Sequence, residues 1–274
     1  MANKIPNFYI DKVTREPYFQ MPSNHFHSEY EIYFLLTGTR KFFINHSFYT
    51  LHPNDFVLIS KGELHRTSFI ADASHERIVM YFNDIWLNHV VDTFGRDILN
   101  QCLATHKRSI AETDQLFISN LLEKMLDEYN SPTIYSNKLL QNYFEELLIF
   151  LLRTTSSNEY TNDNTANDAD IVKAAQYICS NYAHDLTLKE VADYVNLSPT
   201  YFSKKFKDST GFGFKEYLIH IRVKEAAHQL LETKDSITTI AARCGFTDSN
   251  YFGDLFRKVT KLSPREYRKK QSAY

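Results

Sequence analysis

Hydrophobic positions follow two different periods along the chain. In the first ninety or so residues they come in short runs, Glu29–Leu36, Lys41–Ile44, Asp55–Ile59, Thr67–Ile70 and Arg77–Phe82, rich in Tyr, Phe, Ile and Val. Thr37-Gly38, His52-Pro53-Asn54-Asp55 and Lys61-Gly62 separate several of them with turn chemistry. Short strands without a long helix between them predict an antiparallel sandwich or barrel. After about residue 85 the period lengthens. Ile118, Leu121, Leu122, Met125, Leu126 and Tyr129 recur at three- and four-residue spacing, which predicts an amphipathic helix over Asp114–Tyr129. Ser131-Pro132 offers a cap and first-turn proline for a second helix. That helix carries the stripe Leu140, Tyr143, Phe144, Leu147, Leu148 and Leu151, widened by Ile149, Phe150 and Leu152. A stripe this wide serves two surfaces: the helices cap the β-domain, and they offer a face for dimerisation. Residues 156–169, SSNEYTNDNTANDA, have almost nothing to bury and read as a linker spanning ~20 Å as a flexible coil.

From Asp170 onward the signals are helical. Thr187…Glu190 and Ser263…Glu266 are capping boxes, and Ser198-Pro199 repeats the cap-then-proline pattern. This segment contains an internal repeat. Tyr201-Phe202…Phe206-Lys207 recurs fifty residues later as Tyr251-Phe252…Phe256-Arg257, and Val191-Ala192 recurs as Ile240-Ala241. Each copy predicts a short helix with a small inner residue, a tight turn and a second helix with a polar face, which is the plan of a helix-turn-helix. The phenylalanines at helical spacing are core. Between the copies, Phe214 to about Lys234 reads as one helix ~30 Å long. Successive major-groove faces on one side of B-DNA lie about 34 Å apart, so two heads on such a helix can enter adjacent grooves.

Composition and charge sharpen this picture. Among 274 residues, 31 Lys+Arg stand against 33 Asp+Glu, and 43% of residues are hydrophobic, which excludes a disordered chain. The near balance hides an asymmetry: residues 171–274 hold 17 basic and 11 acidic side chains, the rest 14 and 22. A basic end on an acidic body predicts that the C-terminal part meets a polyanion. The longest apolar run, Leu147–Leu152, is too short for a membrane span, and the first residues lack the pattern of a signal peptide. Cys102, Cys179 and Cys244 form neither a disulfide framework nor a zinc spacing, which fits a reducing cytoplasm.

The residues Ile-Ala…Gly-Phe…Tyr-Phe…Phe-Arg-Lys…Ser-Pro…Tyr-Arg at 240–268, with Gly211, Tyr217 and Arg222…Ala226…Leu230-Leu231, resemble the AraC/XylS family of bacterial transcription regulators over about a hundred residues. The resemblance implies that Thr200, Ser203 and Lys204 face bases from the first recognition helix, with Lys207 near phosphate. For the second helix it implies Ser249, Asn250 and Asp254 at the bases and Arg257 and Lys258 towards the backbone. Asp254 stands where a basic residue is common and Lys261 where glycine is common. An Asp can accept from cytosine N4, so the second head reads a different base or mainly contributes positioning. Arg243 reads equally as a solvated surface residue.

In the front domain, His25-Phe-His27-Ser-Glu-Tyr-Glu31, six residues before Gly38, and Gly62-Glu-Leu-His65 resemble the cupin metal motif. Cupin barrels are the usual front domain of AraC-type regulators. On a strand His25, His27 and Glu31 share a face. Ser60 and Phe69 depart from the second half of the motif. Three roles stand open for His25, His27, Glu31 and His65: ligating a first-row metal, hydrogen-bonding an organic effector, or bonding one another as structure. Tyr33, Tyr49 and Tyr81 are candidate pocket walls, suited to the apolar face of a sugar.

The expectation is therefore an α+β protein: a cupin-like antiparallel β-barrel over 1–90, a helical dimerisation and support segment over 91–155, the linker 156–169 and an all-α double helix-turn-helix domain over 170–274. Its expected role is a cytoplasmic, non-enzymatic, cofactor-free DNA-binding regulator. The expected partners are operator DNA, a small-molecule effector of carbohydrate type, a second copy of the chain and RNA polymerase, with no membrane. The alternatives are a metal-dependent cupin enzyme with a DNA-binding tail and a regulator that senses nothing.

Overall fold

The computed structural model describes residues 5–17, 29–69, 73–154 and 168–271. His25 and His27, and most of the expected linker, lie outside the described residues. Eight described strands precede the long helices: β1 (Phe8–Arg15), β2 (Tyr30–Thr37), β3 (Arg40–Ile44), β4 (Ser47–Leu51), β5 (Asp55–Ile59), β6 (His65–Phe69), β7 (His75–Phe82) and β8 (Lys107–Ser109). They form a five-stranded sheet in the order β1-β7-β2-β5-β8 and a three-stranded sheet in the order β4-β3-β6, with antiparallel pairing throughout. This corrects the expected closed barrel. Among the described residues no ladder joins the two sheets; side chains close the space between them instead.

Period-two alternation gives each sheet two faces. Tyr33, Leu35, Val57 and Ile59 from the large sheet meet Phe42, Ile44 and Leu51 from the small one in an inner core. The opposite face of the large sheet, with Ile32, Phe34, Leu58, Ile78, Met80 and Phe82, is covered by helices. After a 3-10 turn at Asp84–Trp86 come α1 (Asn88–Phe94), α2 (Arg96–Ala104), α3 (Glu112–Asn130) and α4 (Ser136–Thr154). The stripes on α3 and α4 bury Ile118, Leu122, Met125, Phe144, Leu147 and Leu148 in this core. Ser131 does not open α4, as its sequence context predicts, but ends α3. The helix starts at Ser136, whose hydroxyl accepts from the Thr133 N–H at 2.7 Å and donates to Glu128 at 2.5 Å.

The C-terminal part consists of α5 (Ala169–Asn181), α6 (Leu188–Tyr194), α7 (Pro199–Thr210), α8 (Phe214–Glu232), α9 (Ile237–Arg243), α10 (Ser249–Thr260) and α11 (Pro264–Gln271). α8 runs through two cores. Phe214, Tyr217, Leu218 and Ile221 belong to the one built on α5–α7, and Val223, Ala226 and Leu230 to the one built on α9 and α10. At the junction Arg222 donates to the Tyr182 and His184 carbonyls at 2.8 and 2.7 Å.

The outer face of the small sheet packs on the first of these cores. Phe43, Phe48 and Leu64 are buried among α5–α8 residues, and Phe43 lies 6.2 Å from the Tyr217 ring. Tyr217 donates to the Asn45 carbonyl at 2.5 Å, Lys41 pairs with Asp168 at 2.5 Å, and Arg66 donates to the Lys207 carbonyl at 3.4 Å. The small sheet is thus clamped between the large sheet and the first helical unit.

Candidate nucleic-acid interface and sensor interior

The two helix pairs α6–α7 and α9–α10 are built alike. Ala192 and Ala241 are buried where the helices meet, and each carbonyl accepts two N–H groups of the turn that follows. The turn needs one left-handed residue: Asn196 takes φ 57° in the first pair and Gly245 φ 82° in the second. At Gly245 a Cβ would come within 2.9 Å of the Tyr182 and Ala183 carbonyls, so only glycine fits there. Ser198 and Asp248 then cap α7 and α10, accepting from Tyr201 N–H at 3.4 Å and Tyr251 N–H at 2.7 Å. Phe202 and Phe206 in α7, and Phe252 and Phe256 in α10, point into the cores.

With those rings buried, the opposite faces are left to solvent. Thr200, Lys204 and Lys207 are exposed on α7 and Ser203 half-buried; on α10 Ser249, Asn250, Asp254, Arg257 and Lys258 are all exposed. Each set lies on one helix face. Sequence reasoning passed over Tyr201 and Tyr251, which stand at the same turn of the two helices and are each 55% exposed. The Tyr-Phe pair was visible in the repeat; separating its outward from its inward member requires the helix phase. Arg243 pairs with Asp235 at 2.5 Å on the surface. Lys261, in the glycine-favouring place, closes α10 at φ 64°.

The space between the sheets holds the second candidate site. Glu31, Tyr33 and His65 come together there, all buried. His65 donates from Nδ1 to the Glu63 carbonyl at 2.9 Å, which turns Nε2 towards the Glu31 carboxylate at 3.3 Å. Tyr49 lies at the margin of the inner core, 5.8 Å from the His106 ring. Tyr81 follows the parity of Glu31, its register partner, and burial first, then Glu31, pushes its pKa up.

The structure adds basic residues the sequence did not flag. Arg40, 2% exposed, donates to Thr67 at 3.2 Å, and Arg77 stands 5.3 Å over the Tyr33 ring. His75 is buried beside them; burial, then Arg40, Arg77 and Arg15, pushes its pKa down to about 4. Arginine on a strand reads as solvated edge in sequence, so nothing marked these as inward.

Paired short helices with solvent-facing polar ridges, fixed to a two-sheet domain, define a helix-turn-helix protein with a β-rich front domain. Comparison with known proteins agrees. A helix-turn-helix domain model matches residues 191–270 and an ExsA N-terminal regulatory domain model residues 31–163. The chain thus carries an AraC-type helix-turn-helix domain behind an ExsA-type regulatory domain. An uncharacterized HTH-type transcriptional regulator of Staphylococcus aureus (strain MRSA252) is 25% identical over 236 residues, 86% of this chain and 31% of that protein. The chain thus spans about a third of the length of such relatives. The HTH-type transcriptional activator RhaS of Klebsiella pneumoniae (strain 342) is 33% identical over 152 residues, 56% of this chain and 52% of that one. Unsaturated fatty acid-bound ToxT from Vibrio cholerae is 18% identical, with a TM-score of 0.44 over 98% of this chain and 97% of its own. No described helix is long and apolar enough to cross a membrane.

Proposed function

We propose that the protein is a sequence-specific DNA-binding transcription regulator whose front domain senses a small molecule. The observation that carries this reading is the equivalence of α7 and α10: the same buried phenylalanines, the same turn and the same outward face, joined by one 19-residue helix about 28 Å long. Each helix pair is a helix-turn-helix. Thr200, Ser203 and Lys204, and Ser249, Asn250 and Asp254, read bases; Lys207, Arg257 and Lys258 hold phosphate and make affinity salt-dependent.

The effector binds between the sheets, where Glu31, Tyr33 and His65 lie. Its carbohydrate character is supported by aromatic walls beside hydrogen-bonding side chains. The small sheet links sensing to reading. Its inner face lines the sensor, while its outer face, through Phe43, Phe48 and Leu64, holds the unit that carries α7. A shift of this sheet moves the first head relative to the second.

A second copy of the chain packs on the α3–α4 groove, where Phe117, Ile149 and Phe150 are flanked by Glu145, Glu146 and Arg153. Domains follow as a sensor over 1–90, helices over 91–155 and a DNA-binding part from 170, with RNA polymerase as the downstream contact. Selecting genomic fragments with purified protein at near-physiological salt, then sequencing, tests the reading. Enrichment of a few sites is expected; unselective, salt-sensitive binding with and without a cell metabolite extract refutes it.

A further inference from the structure

The inner face of the large sheet is unevenly charged. Odd-numbered residues of β1 and β7 point inward, which brings Arg15, His75 and Arg77 onto the face that carries Glu31 and Tyr33, while Arg40 joins them from the small sheet. Of the acids on this face, Glu31 faces His65, Asp11 accepts from the Tyr9 hydroxyl at 3.0 Å and Asp55 pairs with Lys107 at 3.5 Å. Glu76 has the opposite parity and pairs with Lys12 at 3.6 Å. Two groups among the basic residues stand out. The Tyr33 hydroxyl is buried, its residue 2% exposed, and makes no hydrogen bond with the described residues. The Arg77 guanidinium lies over the Tyr33 ring and makes no hydrogen bond or ion pair with the described residues. Leaving a buried hydroxyl without a partner is costly, and such a group in a native protein calls for an occupant.

We propose that the effector carries an oxyanion, a carboxylate or a phosphate group, and that Arg77 and the Tyr33 hydroxyl receive it, with Arg40 behind them. The planar guanidinium fork matches a carboxylate or phosphate in two parallel hydrogen bonds, and the phenol supplies a third donor. His75 stays neutral there and adds a hydrogen-bonding imidazole rather than a charge. This rests on the sensor reading above and names the chemistry of that ligand; an acidic or phosphorylated sugar satisfies both.

The test uses the full chain and matched probes: glucose 6-phosphate, glucuronate and glucose; octanoate and octanol; and inorganic phosphate. Thermal unfolding and titration calorimetry are expected to show an anionic member binding and raising the melting temperature by several degrees, while its neutral counterpart leaves it unchanged. Glucose 6-phosphate against glucuronate separates phosphate from carboxylate. Arg77→Met and Tyr33→Phe are each expected to raise the dissociation constant of that probe tenfold or more. Tyr33→Phe removes a hydroxyl that bonds none of the described residues, so it keeps the fold and carries the test if Arg77→Met does not fold. Binding of neutral and anionic members alike, binding unchanged in both variants, or no binding by any probe overturns the proposal. Genomic selection with the same preparations separates the two readings: sites still enriched leave the regulator standing when the oxyanion falls.

Discussion

Phe43→Ala tests whether the two halves of the chain act as one body. Phe43 is 2% exposed on the outer face of the small sheet, beside Phe48 at 4.9 Å and Tyr217 at 6.2 Å. Removing a buried phenylalanine costs about 3–5 kcal/mol, of which ~1.5–3 is lost transfer free energy and the rest the cavity left behind. Undocked, this face of the sheet meets water, so most of the loss falls on docking rather than on either half. At about 1.4 kcal/mol per decade, docking weakens a hundredfold or more. The single tryptophan, Trp86, sits in the front domain's core and reports that half alone, whereas far-UV circular dichroism follows the helices of both. In urea the two signals are expected to coincide in the native chain and to separate in Phe43→Ala. Coincident transitions whose free energy shifts by less than about 1 kcal/mol would refute the interface as the coupling element.

Four further outcomes follow from the same geometry. Lys204→Ala is expected to lose ~1–3 kcal/mol at one base position, whereas Lys207→Ala weakens binding evenly across sequences and lowers the salt slope by about 1, both read from binding titrations at several salt concentrations. Lys261→Gly relieves the left-handed residue that ends α10 at φ 64° and should add about 0.5–1 kcal/mol, seen as a higher melting temperature. Gly245→Ala should do the reverse, by more than ~1 kcal/mol, because its Cβ meets two carbonyls at 2.9 Å. Burial holds the pKa values of both His75 and His220 at about 4, helped by Arg40 in one case and Lys258 in the other. Between pH 6.5 and 4 the unfolded chain takes up protons these folded histidines refuse, so stability falls as pH drops through that window and is whole above it. Replacing either by Gln should flatten the pH dependence of the melting temperature.

The C-terminal half was legible because its information is local. Caps at Thr187, Ser198 and Ser263, the left-handed turn at Gly245 and the spacing of Phe202, Phe206, Phe252 and Phe256 act within one or two turns of chain, and a repeat states each of them twice. Asp248 as a cap escaped notice because one extra residue, Thr247, shifts the second copy's register. In the front half, β5 matched to the residue, but β1 and β4 were missed. The first, Phe-Tyr-Ile-Asp-Lys-Val-Thr-Arg, lacks a clean alternation of apolar and polar residues, and the second follows β3 across a hairpin that only Asn45, at φ 54°, makes tight.

What the sequence by itself determined is the paired short helices of the C-terminal part and the existence of a β-rich front domain, since these follow from periodicity, caps and turns. Whether the strands close into a barrel, which arginines turn inward and which sheet face meets the helices were decided only in three dimensions. A strand residue's surroundings come from partners distant in sequence: Arg77 meets Tyr33 across a ladder, and Tyr217 meets Asn45 across 172 residues. Such contacts depend on strand order and on how two faces stack, and neither is written in the period of any single strand.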